Sequence, residues 1–372
     1  MMRLSKLSVR SFRVLAKADV AFRPLTVMIG PNGSGKTTVL EALSLLAVSA
    51  QGGLSDRISQ LGGFSHLLTY GADRLVIGAS VESAEWASFE YSMNLIPSGG
   101  VYAIEAEDLT RANSLYLVRT QGVHMSYGAH QMKSSLKPNL FETALAQVPG
   151  KFEDIEAFRK CLAATTLYRP IPVGPKSPIR LPQQLQPSLL PGQEGEQIAS
   201  CLYNLRESHA DQFAAVEDTL RAAFPHFARL KLPAVAAGLV VVEWYDKRWS
   251  RPLYLNQLSE GTLRFLWLAA LLQSPDLPLT TLIDEPEVSM HPELLSLLAD
   301  LLREASKHAQ IVVATQSDRL VRFLRPDEVL VADVGEDGFA RLTWADTFEL
   351  DKWLEDYTLD EVWRMGRIGG RA

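Results

Sequence analysis

Eight consecutive residues, Gly30-Pro31-Asn32-Gly33-Ser34-Gly35-Lys36-Thr37, match the pattern G-x-x-x-x-G-K-[ST] at every fixed position. Glycines carry no Cβ, so successive backbone N–H groups can converge on phosphate oxygens. A lysine placed like Lys36 reaches the β- and γ-phosphates of a nucleoside triphosphate, and a hydroxyl placed like that of Thr37 ligates Mg2+. Thr38 completes the run. Far along the chain, Leu279-Thr280-Thr281-Leu282-Ile283 leads into Asp284-Glu285. Asp284 fits a partner of Mg2+ through water. Glu285 fits a group that polarises or deprotonates an attacking water. Between these segments, Leu258-Ser259-Glu260-Gly261-Thr262 precedes an apolar run. A serine and a glycine at a helix start can bind an anion through a hydroxyl and free N–H groups, although Ser259 alone would read as an ordinary helix cap. Gln316, after Val312-Val313-Ala314-Thr315, could sense a γ-phosphate or orient water.

These residues need elements to hold them. Leu25 to Ile29 reads as a buried strand and Thr37 to Ala47 as a helix, the context a phosphate loop requires. Period-2 stretches on either side of Ser11-Phe12-Arg13 predict an antiparallel pair ahead of it. Gly261 to Leu272 reads as a helix, Leu279 to Ile283 as a strand, Pro292 to Ala305 as a helix and Gln310 to Ala314 as a strand. That alternation predicts an α/β fold with a mostly parallel core sheet covered on both faces. The core is expected over residues 1–74 and 252–345, with an inserted β/helical lobe over 75–251 and a C-terminal tail over 346–372, all within one domain. In the insert, Leu75–Val81, Phe89–Ile96, Val101–Ala106 and Ser114–Val118 read as strands, and Phe152–Ala164 and Gln193–Phe224 as helices. The seven prolines between Pro170 and Pro191 exclude helix and interior strand. That segment reads equally as a mobile connector or a docking surface.

The order and spacing of the four motifs resemble the ABC-type ATPase heads of the SMC, RecF and OLD-like group, often described as AAA-domain ATPases. The resemblance is carried by Gly30 to Thr38, Leu258 to Thr262, Leu279 to Glu285 and Gln316. Asp284-Glu285-Pro286-Glu287 followed by His291-Pro292 is especially similar, and the tail through Trp363-Arg364-Met365-Gly366 resembles one subgroup. The resemblance spans Met1 to Tyr70 and Tyr254 to Arg341. It implies a P-loop fold of ABC/SMC-head type, and Ser259 and Gly261 contacting ATP held by a second copy. The cofactors would be ATP and Mg2+, and Glu285 and Gln316 the catalytic pair. Two departures stand out. Gln316 occupies a place where most relatives have histidine; an amide donates and accepts hydrogen bonds but takes no proton at neutral pH, so slow hydrolysis follows. Ser-Glu-Gly-Thr also differs from the Ser-Gly-Gly-Gln of transporters.

The formal net charge of -6 argues against indiscriminate coating of nucleic acid, without excluding a local basic groove. Two cysteines, Cys161 and Cys201, make a disulfide framework unlikely and lack metal-ligand spacing, so they read as buried filler in a cytoplasmic protein. No leader-like apolar region and no run near the roughly 20 residues of a membrane span are present. Arg13 could touch nucleotide or DNA, or be a solvated surface arginine. His291 could line a dimer interface near Glu285, or belong to an ordinary helix start. Gln51 and Gln60 are both candidates for a Mg2+-linked glutamine. The leading expectation is an ATP-driven homodimer acting as a switch in DNA repair, genome maintenance or phage defence, with DNA or an effector protein as partner. The alternative is the regulatory ATPase subunit of a toxin or nuclease system; only a short tail follows the core, leaving no room for an appended nuclease. A transporter ATPase and an ATP-gated binding module with negligible turnover complete the set.

Overall fold

The computed structural model describes residues 2–83, 88–112, 114–120, 124–127, 132–133, 139–150 and 152–370. Five strands lie parallel in the order Thr165–Tyr168, Thr280–Asp284, Gln310–Thr315, Leu25–Ile29 and Val329–Val334, and Ala340–Trp344 adds an antiparallel edge. Side chains alternate across this sheet as the pleat requires. Met28, Leu282, Val312, Ala314 and Leu330 face one way, and Val27, Ile29, Ile283, Ile311, Val313, Val329 and Val331 the other.

The first face packs on the helix Lys36–Ala50, which lies between this sheet and an eight-stranded antiparallel sheet beginning Leu15–Ala21, Met2–Phe12, Leu75–Ser83. Twelve of the helix's 15 residues are buried, so it is covered from both sides, and the sequence accordingly shows no single apolar stripe. The second face packs on the helices Glu260–Leu272, Leu294–Ala305, Ile198–Ser208 and Ala210–Ala223. The result is layered, with the phosphate-loop helix between the two sheets and the helix Glu153–Ala163 packed in the same core.

The stretch 75–251, expected as one inserted lobe, is divided. Its first strands continue the N-terminal antiparallel sheet, because Leu75–Ser83 pairs with Met2–Phe12. Thr165–Tyr168 instead forms the edge of the parallel sheet beside Thr280–Asp284. The helix expected over Gln193–Phe224 is two helices, broken at His209, whose φ of -140° and ψ of 60° are not helical. The proline-rich segment is packed: Ile171, Val173 and Ile179 are buried in the core. Arg180 there donates to the carbonyls of Val173 (2.7 Å), Asn256 (3.1 Å) and Leu258 (3.0 Å), tying the segment to the turn that precedes Ser259.

The C-terminal stretch also docks. Leu359, Val362, Trp363 and Ile368 are buried in the same core, and the Trp363 indole N–H donates to the Gly370 carbonyl. Residues 371 and 372 of the expected tail lie outside the described residues. Among the described residues no helix is long and apolar enough to cross a membrane.

Candidate nucleotide site

Parallel register brings the chemistry to one edge. Tyr168 pairs with Ile283, Asp284 with Ala314, Thr315 with Ile29, and Ile29 with Val331. The residues that follow four of these strands, Arg169, Glu285, Gln316 and Gly30, therefore emerge together at the carboxyl ends, beside Ala332 of the fifth, where ligands of such sheets bind.

Gly30, Gly33 and Gly35 have φ of 150°, 80° and 95°, a region that glycine enters without strain. At Gly30 space decides as well, since a Cβ there would overlap the Ala332 carbonyl oxygen. Gly35 starts the helix Lys36–Ala50 with no side-chain cap and no acidic residue in its first turn. The N–H groups of that turn and the positive end of the helix dipole are thus left for an anion. The Ser34 hydroxyl is buried in the loop and has no hydrogen-bond partner among the described residues. Lys36 is only 6% exposed, and its ammonium donates to the Gly30 (2.7 Å) and Pro31 (2.8 Å) carbonyls. Burial lowers its pKa, opposed by the charges of Glu285, Asp284 and Glu287. An orphaned hydroxyl, an uncapped helix start and a lysine held within the loop fit a polyphosphate.

Thr37 Oγ1 donates to Asp284 Oδ1 across 3.3 Å, so the two oxygens expected at Mg2+ stand side by side. Hard oxygen donors in this number suit Mg2+, which is usually held by one or two protein groups plus phosphate oxygens. Burial raises the Asp284 pKa, the neighbouring Glu285 adds to it, and Thr37 opposes it. Glu285 has a φ of 45°, unusual for a side chain with a Cβ, and its N–H donates to the Ala314 carbonyl (2.8 Å). That backbone turn, costing on the order of 1 kcal/mol, aims the carboxylate at Gln316. The Gln316 amide donates to Glu285 Oε1. Behind them Thr315 Oγ1 donates to Glu287 Oε1 (2.5 Å), and burial raises the Glu287 pKa.

Ser259 and Gly261 are not part of this cluster. Ser259 caps the helix Glu260–Leu272: its hydroxyl is exposed, accepts from the Thr262 N–H (3.2 Å) and lies 2.7 Å from Thr262 Oγ1. Among the described residues no hydrogen bond joins Ser259 to the phosphate loop or to the carboxylates. Gly261 abuts the loop after Glu285, where a Cβ would meet the Ser289 carbonyl oxygen. A packing role thus stands beside the anion role read from the sequence.

The remaining candidates sort clearly. Arg13 sits at the phosphate-loop helix, paired with Glu41 Oε2, and Arg169 Nη2 donates to Glu41 Oε1 at 2.9 Å. His291 is exposed, its Nδ1 accepting from the Glu293 N–H (3.4 Å) and bearing no hydrogen bond to Glu285 among the described residues. Gln51 donates to the Ala163 carbonyl (2.9 Å) and Gln60 accepts from Arg57 (3.4 Å), so neither meets Thr37 or Asp284. Both instead line a cavity of about 650 Å3 with Arg57 and Arg169. Cys161 and Cys201 are buried. Sequence reading missed Glu41 and Arg169; the only signal was a four-residue strand, Thr165–Tyr168, ending at the first of the clustered prolines.

Residues 2–83 match the family model described as "AAA ATPase domain", and residues 179–322 the one described as "AAA domain, putative AbiEii toxin, Type IV TA system". The first holds the phosphate loop, the second Ser259, Asp284, Glu285 and Gln316. An OLD nuclease of Thermus scotoductus is 49% identical over 43 residues, 12% of this chain and 8% of that protein. The DNA replication and repair protein RecF of Vibrio vulnificus is 28% identical over 171 residues, 43% of this chain and 46% of that protein. The chain spans less than half the length of either relative. In fold, the Smc head domain with an extended coiled coil, solved bound to the C-terminal domain of ScpA from Pyrococcus furiosus, superposes with a TM-score of 0.59 at 14% identity, covering 96% of this chain and 99% of that one. Family models on both sides of the site, short stretches of RecF and OLD likeness and an SMC-head fold agree in supporting an ATPase head similar to those of the SMC, RecF and OLD-like group.

Proposed function

We propose that the chain binds Mg2+·ATP in the phosphate loop and hydrolyses it slowly within a homodimer, each nucleotide clasped between one copy's loop and the other copy's Ser259 helix start. The dimer would act as a switch on DNA or on an effector protein, in genome maintenance or phage defence. The observation that carries this reading is the meeting of Thr37 with Asp284 and of Gln316 with Glu285, while Ser259 stands exposed at a helix start, bonded only within its own turn to Thr262 among the described residues.

In hydrolysis, the water oxygen bonds to the γ-phosphorus. The bond to the β–γ bridging oxygen breaks, its electron pair leaves with ADP, and the water proton passes to Glu285. Gln316 orients Glu285 and the water; Lys36 and the loop N–H groups hold the β- and γ-phosphates. Mg2+, held by Thr37 and Asp284, would neutralise phosphate charge. Glu285→Gln should retain ATP, accumulate as a dimer in light scattering, and lose turnover by roughly 10²–10⁴. Parental turnover in that variant would remove Glu285 from the reaction. A regulatory subunit with little intrinsic turnover is the second reading, favoured by the amide of Gln316 occupying the carboxylate where a base would receive a proton. Phosphate release that appears only with a co-purifying partner would select it.

A further inference from the structure

We propose that Arg169 is a phosphate-contacting residue supplied by the same chain, a guanidinium that moves from Glu41 onto the γ-phosphate and stabilises the charge of the transition state; this rests on the ATPase reading above. Thr165–Tyr168 runs parallel to Thr280–Asp284 with Tyr168 opposite Ile283, so Arg169 follows its strand at the level of Asp284. Its present partner, Glu41, lies four residues after Thr37 on one helix, hence one turn further along the same face as the proposed metal ligand. The positive charge of Arg169 acts on Asp284 across this gap.

Three arginines gather about Glu41. Arg13 and Arg169 both bond to the single Glu41 carboxylate, and Arg57 is close enough for its charge to oppose that of Arg169. Two guanidiniums share one carboxylate, so Glu41 stays paired through Arg13 if Arg169 turns to a triphosphate brought in beside Thr37 and Asp284. The two bonded arginines also differ in freedom. The Arg169 side chain is 50% exposed, against 30% for Arg13 and 9% for Glu41. Arg13 can therefore keep the buried carboxylate paired while Arg169 leaves. A planar guanidinium suits the task, since it can donate two parallel N–H bonds to phosphate oxygens. As the γ-phosphorus gains the water oxygen and loses the bridging oxygen, charge builds on the latter and on the equatorial oxygens, and Arg169 would neutralise it.

The test uses the full chain, with Arg169→Ala and Arg169→Lys beside Lys36→Ala and Glu285→Gln. Affinities are read with fluorescent ATP and ADP analogues in Mg2+, and hydrolysis in single turnover. Arg169→Ala should slow hydrolysis by roughly 10²–10³ and shrink the preference for ATP over ADP by about tenfold or more. Added guanidinium ion should recover part of the rate, and Arg169→Lys should fall between. An arginine that merely braces Glu41 would lower the melting temperature, leave the ATP/ADP ratio alone and show no recovery by guanidinium. Parental turnover and an unchanged ratio in Arg169→Ala would overturn the proposal while leaving the ATPase reading standing. If the parent itself shows no turnover yet binds ATP through Lys36, the hydrolysis reading falls, and the ratio alone decides whether Arg169 touches the γ-phosphate.

Discussion

Mixing differently damaged chains separates two roles for Gly261. A built Cβ at Gly261 would stand 2.4 Å from the Ser289 carbonyl oxygen and 3.7 Å from the Met290 Cα. Gly261→Ala must therefore push the loop after Glu285 outward by about half an ångström or more; overpacking of this kind costs about 1–3 kcal/mol. Misplacing a reacting group by about 1 Å can cost 10²-fold in rate. Ser259→Arg, by contrast, alters an exposed helix tip and removes its cap on the Thr262 N–H, a loss of about 1 kcal/mol, without pressing on the loop after Glu285. Each is mixed in equal amounts with Lys36→Ala, whose loop is dead but whose helix tip is sound. In randomly assorted two-fold dimers, about half the dimers are mixed, each with one site joining a sound loop to a sound tip. Phosphate release should return to about a quarter of the parental rate with Ser259→Arg. With Gly261→Ala it should stay about tenfold or more below that, because the rescued site uses the Glu285 of the chain whose Ser289 loop has been displaced. Equal recovery in the two mixtures would refute the coupling between Gly261 and the Glu285 loop. No recovery in either would refute the shared site. Melting curves of each single variant confirm that the chains are folded.

Gly30→Ala should abolish binding of a fluorescent ATP analogue, since the Cβ has no room against Ala332 and φ is 150°; affinity within a few-fold of the parent would count against the loop geometry. Trp363→Ala removes a fully buried indole and its bond to the Gly370 carbonyl, and should cost about 3–5 kcal/mol in urea unfolding. A loss under about 1 kcal/mol would show that the C-terminal segment is not docked in solution. Burial pushes the Cys161 thiol up to about 11 and the Cys201 thiol up to about 12. At pH 8 roughly a thousandth or less of either is thiolate, so a colorimetric thiol reagent should count two groups only after denaturant is added.

The nucleotide edge was readable because its determinants are local. Gly30 to Thr37 declares strand, turn and helix within a dozen residues, and Leu279 to Asp284 is an apolar run closed by a carboxylate. Partnership between strands is not local, and there the sequence was silent. Nothing in Leu75–Ser83 shows that it extends the sheet begun by Met2–Phe12 rather than opening a separate lobe. The four residues of Thr165–Tyr168 are too few to display a period, and Pro170 marks the region as irregular, so Arg169 was passed over in favour of Gln51 and Gln60. Trp363 looked like part of a tail because its packing partners come from strands and helices elsewhere in the chain. Gly261 was legible as a helix-start glycine, but its closeness to Ser289 depends on two loops meeting in space.

The strand that leads into the phosphate loop, Leu25–Ile29, has for neighbours Gln310–Thr315 and Val329–Val334. Both flanking strands are made some three hundred residues later in synthesis, after the whole antiparallel sheet and most of the helices. The nascent segment must therefore wait with its apolar faces uncovered, and pairings of such long separation form slowly. Folding of this protein is thus expected to be limited by closure of its central sheet, with the earlier antiparallel sheet and the helix Lys36–Ala50 available as a platform on which that closure occurs.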